Sequence, residues 1–289
     1  MTAPRQNGQT GQTVKAAVFG WPARHSLSPR LHGFWLKKYG IDGTYEAIEV
    51  APEDFPARLA ALAVDGFAGC NVTVPHKETA LEIVDRADEN ARRIGAVNTV
   101  VVEADGTLTG TNTDGFGFME NLQAGAPGFD ASAGPAVLLG AGGAARAVVA
   151  ALLDAGCPDV RIVNRTRARA EAVRDHLKGA VSVHDWSERE EVLGDAVLLV
   201  NTTTMGMDHN PPLDIDLGAL PKTAIVTDIV YTPLATPLLV RAQEHGNLTV
   251  DGLGMLLHQA RPGFEAWFGV APEVTADLRA HVLAALGSG

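Results

Sequence analysis

The stretch PAVLLGAGGAARAVVAALLDAGCPDVRIVNRT, residues 135–166, restricts this chain more than any other. A short apolar run meets a glycine turn, a helical period follows, and a second apolar run closes the segment. Strand, turn, helix and strand in that order form a βαβ unit, whose strands lie parallel in one sheet. Such strands are covered on both faces, so they read as unbroken apolar runs. The same grammar recurs along the chain. KAAVFG (15–20), TYEAIEV (44–50) and FAGCNVTV (67–74) predict strands, and LHGFWLKKYG (31–40) and DFPARLAALAVDG (54–66) predict helices. PHKETALEIVDRADENARRIG (75–95) covers one or two helices, with Pro75 suited to the first turn. AVNTVVVE (96–103) and TLTGTN (107–112) predict a closing hairpin.

A composition break follows. GFGFMENLQAG (115–125) predicts a helix and APGFDASAGP (126–135) a loop. VLLVNTT (197–203), AIVTDIV (224–230) and LTVDG (248–252) predict three more buried strands. The tail returns to helix in GMLLHQARPGFEAWFG (254–269) and PEVTADLRAHVLAALG (272–287), with Pro262 expected to kink or break the first. A chain of 289 residues exceeds what one core usually holds, so two α/β domains are expected. One comprises residues 1–113 with 252–289 and the other residues 114–251.

Composition narrows the partners. A net charge of −11 argues against a general nucleic-acid binder. An anionic ligand would have to be held by a local basic cluster. No apolar run reaches 18 residues, so no membrane span is expected. The opening MTAPRQNGQTGQT lacks an apolar stretch, reads as a frayed tail and is no secretory signal. Cys70 and Cys157 sit in or beside apolar segments and read as buried thiols of a reducing cytoplasm. The nine histidines show no metal-ligand spacing, so no metal is expected.

The turn GAGGAA (140–145) fits a dinucleotide fingerprint with Gly140, Gly142 and Ala145 in the small positions. Gly143 and Ala144 complete the loop. Small residues let the backbone approach a pyrophosphate, and the helix start faces the phosphates. The end of the next strand distinguishes the nucleotides. An acid there would hold a ribose 2′-hydroxyl. The chain instead has Asn164, Arg165, Thr166, Arg167 and Arg169, guanidinium forks and a hydroxyl that suit a 2′-phosphate. The cofactor expected is NADP. The plain alternative is a solvated basic helix start paired with Glu171.

A nicotinamide site implies hydride transfer between C–OH and C=O, which needs a proton carrier beside the oxygen. Lys77 stands near the positive end of a helix dipole, where a cation is mildly disfavoured. Chance placement explains it, or an opposing carboxylate or ligand does. Asp114, in GTNTDGFGF, is the candidate carboxylate; Thr113 or Asp114 could equally cap the following helix.

The set HSLSP (25–29), NVTVPHK (71–77), GAVNT (95–99), NTDG (112–115), GAGGAAR (140–146), NRT (164–166) and DGLGMLLHQA (251–260) resembles the shikimate dehydrogenase family nearly end to end. The resemblance implies reversible NADPH-dependent reduction of 3-dehydroshikimate in aromatic amino acid biosynthesis. It implies a catalytic pair, Lys77 and Asp114. Ser26 and Ser28 match the hydroxyls that hold the substrate carboxylate, on the reading that residues i and i+2 of an extended segment point the same way. Thr73, Asn98 and Gln259 match residues on the ring hydroxyls, and Tyr231 matches a tyrosine at the carboxylate end. Gly252 and Met255 match residues bordering the nicotinamide. A serine turn, strand or helix-surface packing is the alternative for each. The implied architecture is an N-terminal α/β substrate domain, a Rossmann-type NADP-binding domain, C-terminal helices returning to the substrate domain, and a cleft that closes. The chain departs from the family in the stretch LHGFWL, where many members carry an Asn near Gly33, and at Pro262. The expected partner is a small molecule, with no nucleic acid or membrane, in a monomer or homodimer. A quinate or aminoshikimate dehydrogenase, a folate-linked methylene dehydrogenase and an NADP-sensing module are the competing readings.

Overall fold

The computed structural model describes residues 13–286; the polar tail over residues 1–12 lies outside them. The chain divides into two compact units. The first runs to Thr113 and resumes at Gln259; the second is Asp114–His258. The return point therefore falls at Gln259 and not at residue 252 as the sequence suggested.

The first unit opens with β1 (Val14–Gly20), α1 (Ser28–Tyr39), β2 (Gly43–Glu49), α2 (Phe55–Ala60) and β3 (Phe67–Val72). It continues with α3 (Lys77–Ile83), the short β4 (Arg86–Ala87), α4 (Glu89–Ile94), β5 (Thr99–Val102) and β6 (Leu108–Thr111). The sheet order is β2-β1-β3-β5-β6-β4. β1 pairs in parallel with β2 and β3, and β5 with β6 forms the antiparallel hairpin. Its core gathers Phe19, Phe55, Leu59, Leu62, Val97 and Val100, all fully buried. Helix α1 has a proline in its first turn and ends on Gly40 in the left-handed region, φ 64°, where glycine carries no Cβ penalty.

The second unit begins with α5 (Asp114–Gly125), β7 (Ala136–Leu139), α6 (Gly143–Asp154), β8 (Val160–Asn164), α7 (Arg167–Leu177) and β9 (Val181–Asp185). It then adds β10 (Leu198–Asn201), β11 (Ile225–Asp228), α8 (Pro237–His245) and β12 (Leu248–Val250). All six strands are parallel, in the order β12-β11-β10-β7-β8-β9. Counted from β7, this is the 3-2-1-4-5-6 arrangement of doubly wound nucleotide-binding sheets, whose order reverses between β7 and β10. The chain closes with α9 (Leu253–Phe268) and α10 (Ala276–Leu286).

Three readings need correction and one is narrowed from the two arrangements the sequence allowed. Pro75 is not in the first helical turn: His76 N–H donates to Thr73 O at 3.0 Å, a turn spans those residues, and α3 begins only at Lys77. The segment 75–95 holds two helices separated by β4. Helix 54–66 shortens to α2. Pro262 lies inside α9 without breaking it. A proline in a helix interior costs about 3 kcal/mol or more. The burial of Leu257, Phe264, Trp267 and Phe268 on both sides of it offsets that cost. No helix of the described residues is long and apolar enough to cross a membrane.

Candidate active site

The residues of the first unit converge through its central strands. β3 ends at Val72, and Thr73 N–H donates to Phe19 O at 2.9 Å, holding the chain against β1. Thr73 fits there because Gly20 has no side chain; a Cβ on Gly20 would come within 2.4 Å of Thr73 Cγ2. His76 then turns inward and is 2% exposed. Its Nε2 lies 2.8 Å from Val50 O, and its ring stacks on Phe55 with centroids 4.1 Å apart. Burial lowers its pKa, which favours the neutral ring. Val97 N–H donates to Lys77 O at 2.9 Å. Lys77 is the first residue of α3, with its carbonyl held by Val97.

A buried polar network runs beside it. Asn98 Oδ1 accepts from Thr113 N–H at 2.9 Å and from Thr99 Oγ1 at 2.9 Å, and Asn98 Nδ2 donates to Thr113 Oγ1 at 3.1 Å. Thr113 Oγ1 donates to Gln259 O at 2.8 Å. Asn98 and Gln259, 161 positions apart in sequence by subtraction of their numbers, thus meet through one threonine. Gln259 Oε1 is buried with no hydrogen-bond partner among the described residues. A buried acceptor left unpaired costs about 1–3 kcal/mol, so this oxygen is suited to a ligand that brings an O–H donor.

The serine pair is local, but not by the expected geometry. Leu27 between the serines is helical, φ −82° and ψ −6°, and Ser28 already belongs to α1. The alternation of an extended segment does not apply. The serines meet instead because Ser28 N–H donates to Ser26 Oγ at 3.3 Å.

In the second unit, Gly140 carries φ +111° at the end of β7, a conformation L side chains rarely adopt. A Cβ on Gly142 or Gly143 would meet nothing within 4 Å, so the loop leaves open space where a pyrophosphate would rest. Gly142 caps α6, and Gly143 and Ala144 form its first turn. Asn164 Nδ2 donates to Thr166 O at 2.8 Å and shapes the turn after β8. The arginines divide. Arg167 is held by Glu171 at 3.0 Å and Asp185 at 3.1 Å. Arg165 and Arg169 have no side-chain partner among the described residues. Two open guanidiniums beside a helix start suit a phosphate.

Asp114 opens α5 and is 2% exposed. Thr113, offered as a cap, directs its hydroxyl to Asn98 and Gln259. Tyr231 follows β11, and burial raises the pKa of its phenol. The loop that carries it is tied to Asp228, a fully buried carboxylate that accepts from Asn201 Nδ2, Val230 N–H and Thr236 Oγ1. Gly252 approaches β11 so closely that a Cβ would lie 2.5 Å from Ile229 O. Met255 lies on the first turn of α9, whose start is tied to α5 by Asn121 Nδ2 donating to Asp251 O at 2.7 Å.

A cavity of about 480 Å³ opens elsewhere in this unit, lined by Glu190, Asp214, Asp216, Arg241 and His245. Its arginine already donates to Leu213 O, Ile215 O and Asp214, and three carboxylates disfavour an anionic ligand there. It is not the phosphate site. No group of histidines, cysteines and carboxylates among the described residues could hold a metal ion.

Sequence reasoning did not single out His76, Asn71, Thr99, Asn121 or Asp228. Asn71 alone left a signal, lying two residues before Thr73 on the same strand face.

Comparison with known proteins matches three regions. The shikimate dehydrogenase substrate binding domain matches residues 18–100, the shikimate / quinate 5-dehydrogenase model residues 127–207, and the shikimate 5'-dehydrogenase C-terminal domain residues 252–280. A shikimate dehydrogenase (NADP(+)) of Paramagnetospirillum magneticum is 59% identical over 274 residues, 95% of this chain and 99% of that protein. Among solved structures, shikimate 5-dehydrogenase from Thermus thermophilus in complex with NADP(H) and shikimate is similar with TM-score 0.84 and 38% identity, covering 94% of this chain and 100% of that one. Quinate dehydrogenase from Corynebacterium glutamicum in complex with NAD is similar with TM-score 0.87 and 33% identity, covering 94% and 99%. With the glycine turn, the open arginines and the Asn98–Thr113–Gln259 network on the scaffold those relatives share, this chain belongs to the shikimate dehydrogenase family.

Proposed function

We propose that this protein interconverts 3-dehydroshikimate and shikimate with NADP in aromatic amino acid biosynthesis. The observation that carries this reading is the buried Gln259 Oε1, which has no partner among the described residues. It is an acceptor prepared for a substrate hydroxyl.

Lys77 Nζ gives a proton to the ring oxygen in the reducing direction and takes it back in the oxidising direction. Asp114 orients the ammonium and stabilises its charge. Bound NADPH supplies the hydride. Thr73, Asn98 and Gln259 hold ring hydroxyls. Ser26, Ser28 and Tyr231 hold the carboxylate, with uncharged donors in place of a cation. Gly140, Gly142, Gly143 and Ala144 would cradle the pyrophosphate, and Asn164, Arg165, Thr166 and Arg169 the adenosine 2′-phosphate. Gly252 and Met255 would border the nicotinamide. In this reading the first unit, with its C-terminal return, takes the substrate and the second takes the cofactor. The buried free cysteines Cys70 and Cys157 support a cytoplasmic setting, and we propose a monomer or homodimer there.

The test is an initial-rate assay following NADPH formation, offering shikimate and quinate with NADP and with NAD. Fast turnover confined to shikimate and NADP supports the proposal. A preference for quinate or NAD refutes it. Near-normal turnover by Lys77→Ala refutes the proton assignment alone.

A further inference from the structure

We infer that Tyr45 is a positioning residue for the substrate side of the first unit: its hydroxyl anchors the Asn71 amide, which in turn holds the Asn98 segment. This rests on the shikimate reading of that site. Tyr45 lies on β2, two strands away from β3 in the sheet order. Register places Tyr45 beside Ala16, Ala16 beside Gly69, and Val18 beside Asn71. All of these share one sheet face, because side chains alternate along a strand. Ala16 and Gly69 are the two smallest residue types, so the phenol can extend across β1 towards β3. There the Tyr45 hydroxyl donates to Asn71 Oδ1 at 2.6 Å.

Asn98 O can only accept, so Nδ2 of the Asn71 amide faces it, and the Tyr45 hydroxyl anchors the other end of the amide. With Oδ1 facing Tyr45, Nδ2 donates to Asn98 O at 3.2 Å and to Thr99 Oγ1 at 3.1 Å. A flipped amide would set its oxygen against Asn98 O and lose that bond. Asn98 O also accepts from Val72 N–H at 2.8 Å, so Asn71 adds a second hold on the residue whose side chain reaches Thr113. One buried phenol is therefore joined through Asn71 to the candidate ring-hydroxyl residue Asn98.

The ring is held independently of the hydroxyl. His32, one helical turn after Ser28, stacks on Tyr45 with centroids 3.8 Å apart and planes 5° from parallel. Trp267 packs at 6.0 Å. His32 is fully buried, and neither ring nitrogen has a partner among the described residues. A phenylalanine would satisfy this stacking. The hydroxyl at position 45 is needed only for what it bonds.

Tyr45→Phe separates the two roles. It should keep the fold, raise the KM for shikimate about tenfold, and leave kcat and the KM for NADP within about twofold. In an Asn71→Ala background, which raises the shikimate KM by itself, adding Tyr45→Phe should change it less than about twofold, because the effect passes through Asn71. A shikimate KM of Tyr45→Phe within twofold of wild type overturns the inference. So do equal rises in both KM values, a loss confined to kcat, or additive effects in the double variant. Should Tyr45→Phe fail to fold, Asn71→Ala decides alone: a raised shikimate KM at unchanged NADP KM supports the inference, and an unchanged one overturns it. A wild-type protein that turns over no shikimate defeats the proposed function, a result distinct from these.

Discussion

Truncating Asn98 to alanine should destabilise the protein by an amount readable from its hydrogen bonds. Asn98 is 4% exposed; its Oδ1 accepts from Thr113 N–H and Thr99 Oγ1, and its Nδ2 donates to Thr113 Oγ1. The two hydroxyls can re-aim once it is gone: Thr113 Oγ1 still has Gln259 O at 2.8 Å, and Thr99 Oγ1 lies 3.4 Å from Thr113 Oγ1. The Thr113 N–H cannot rotate, and Thr113 is 5% exposed. A buried donor left unmade costs about 1–3 kcal/mol. At about 2–4 °C per kcal/mol for a chain of this size, Tm should fall by about 2–12 °C. Thr99→Val is the control. With near-isosteric shape it removes the bonds of the Thr99 hydroxyl to Asn98 Oδ1 and from Asn71 Nδ2, but leaves Asn98 Oδ1 with Thr113 N–H and Asn71 Nδ2 with Asn98 O. Its loss should be the smaller of the two. Differential scanning calorimetry measures both. An Asn98→Ala Tm within about 1 °C of wild type, roughly the precision expected of such a scan, would refute the reasoning, as would a larger loss in Thr99→Val.

Arg165→Ala and Arg169→Ala should each raise the KM for NADP about 10- to 150-fold, the equivalent of a charge-assisted hydrogen bond of about 1.5–3 kcal/mol. Arg167→Ala, already engaged by Glu171 and Asp185, should change it less than either; initial rates against NADP concentration check the order. Gly69→Ala would place a methyl 2.1 Å from both Trp267 Nε1 and Val100 O, the pair joined by a 3.0 Å bond. It should cost about 1–3 kcal/mol or more, seen as a lowered denaturation midpoint in urea. Burial lowers the pKa of His32 from 6.5 to about 3, so the unfolded chain binds the extra proton first. Its contribution to stability is complete above pH 6.5 and is lost as pH falls towards 3. Between pH 7 and 5 the loss is about 2 kcal/mol, and His32→Leu should remove that part of the acid sensitivity in urea titrations at the two pH values.

Much of the second unit was legible because buried parallel strands are written as apolar runs and the glycine turn has one geometry. β9, VSVHD, escaped because it is an edge strand that is only partly buried and mixes polar residues with valine. α8 escaped although Thr236 and Pro237 form a readable cap, with Thr236 Oγ1 accepting from Leu239 N–H. In the first unit the serine pair, Lys77, Asn98 and Gln259 could be named from their motifs. The network that supports them could not. Tyr45 reaches Asn71 only because β1 lies between β2 and β3, and sheet order is a long-range property that local pattern does not encode. Pro262 misled for a related reason: the burial around α9 outweighs a local helix-breaking preference.

The late return of the chain to its first unit bears on the order in which the protein can be made. Asp114–His258 is one uninterrupted stretch, so the ribosome delivers it whole. The first unit is different. Trp267 Nε1 donates to Val100 O across 167 positions, Trp35 Nε1 to Glu273 O across 238, and Arg30 to His281 O across 251. These late partners have not yet been synthesised when the sheet of the first unit emerges. The part of the molecule translated first is the part completed last, and until release its apolar sheet face is open to wrong partners.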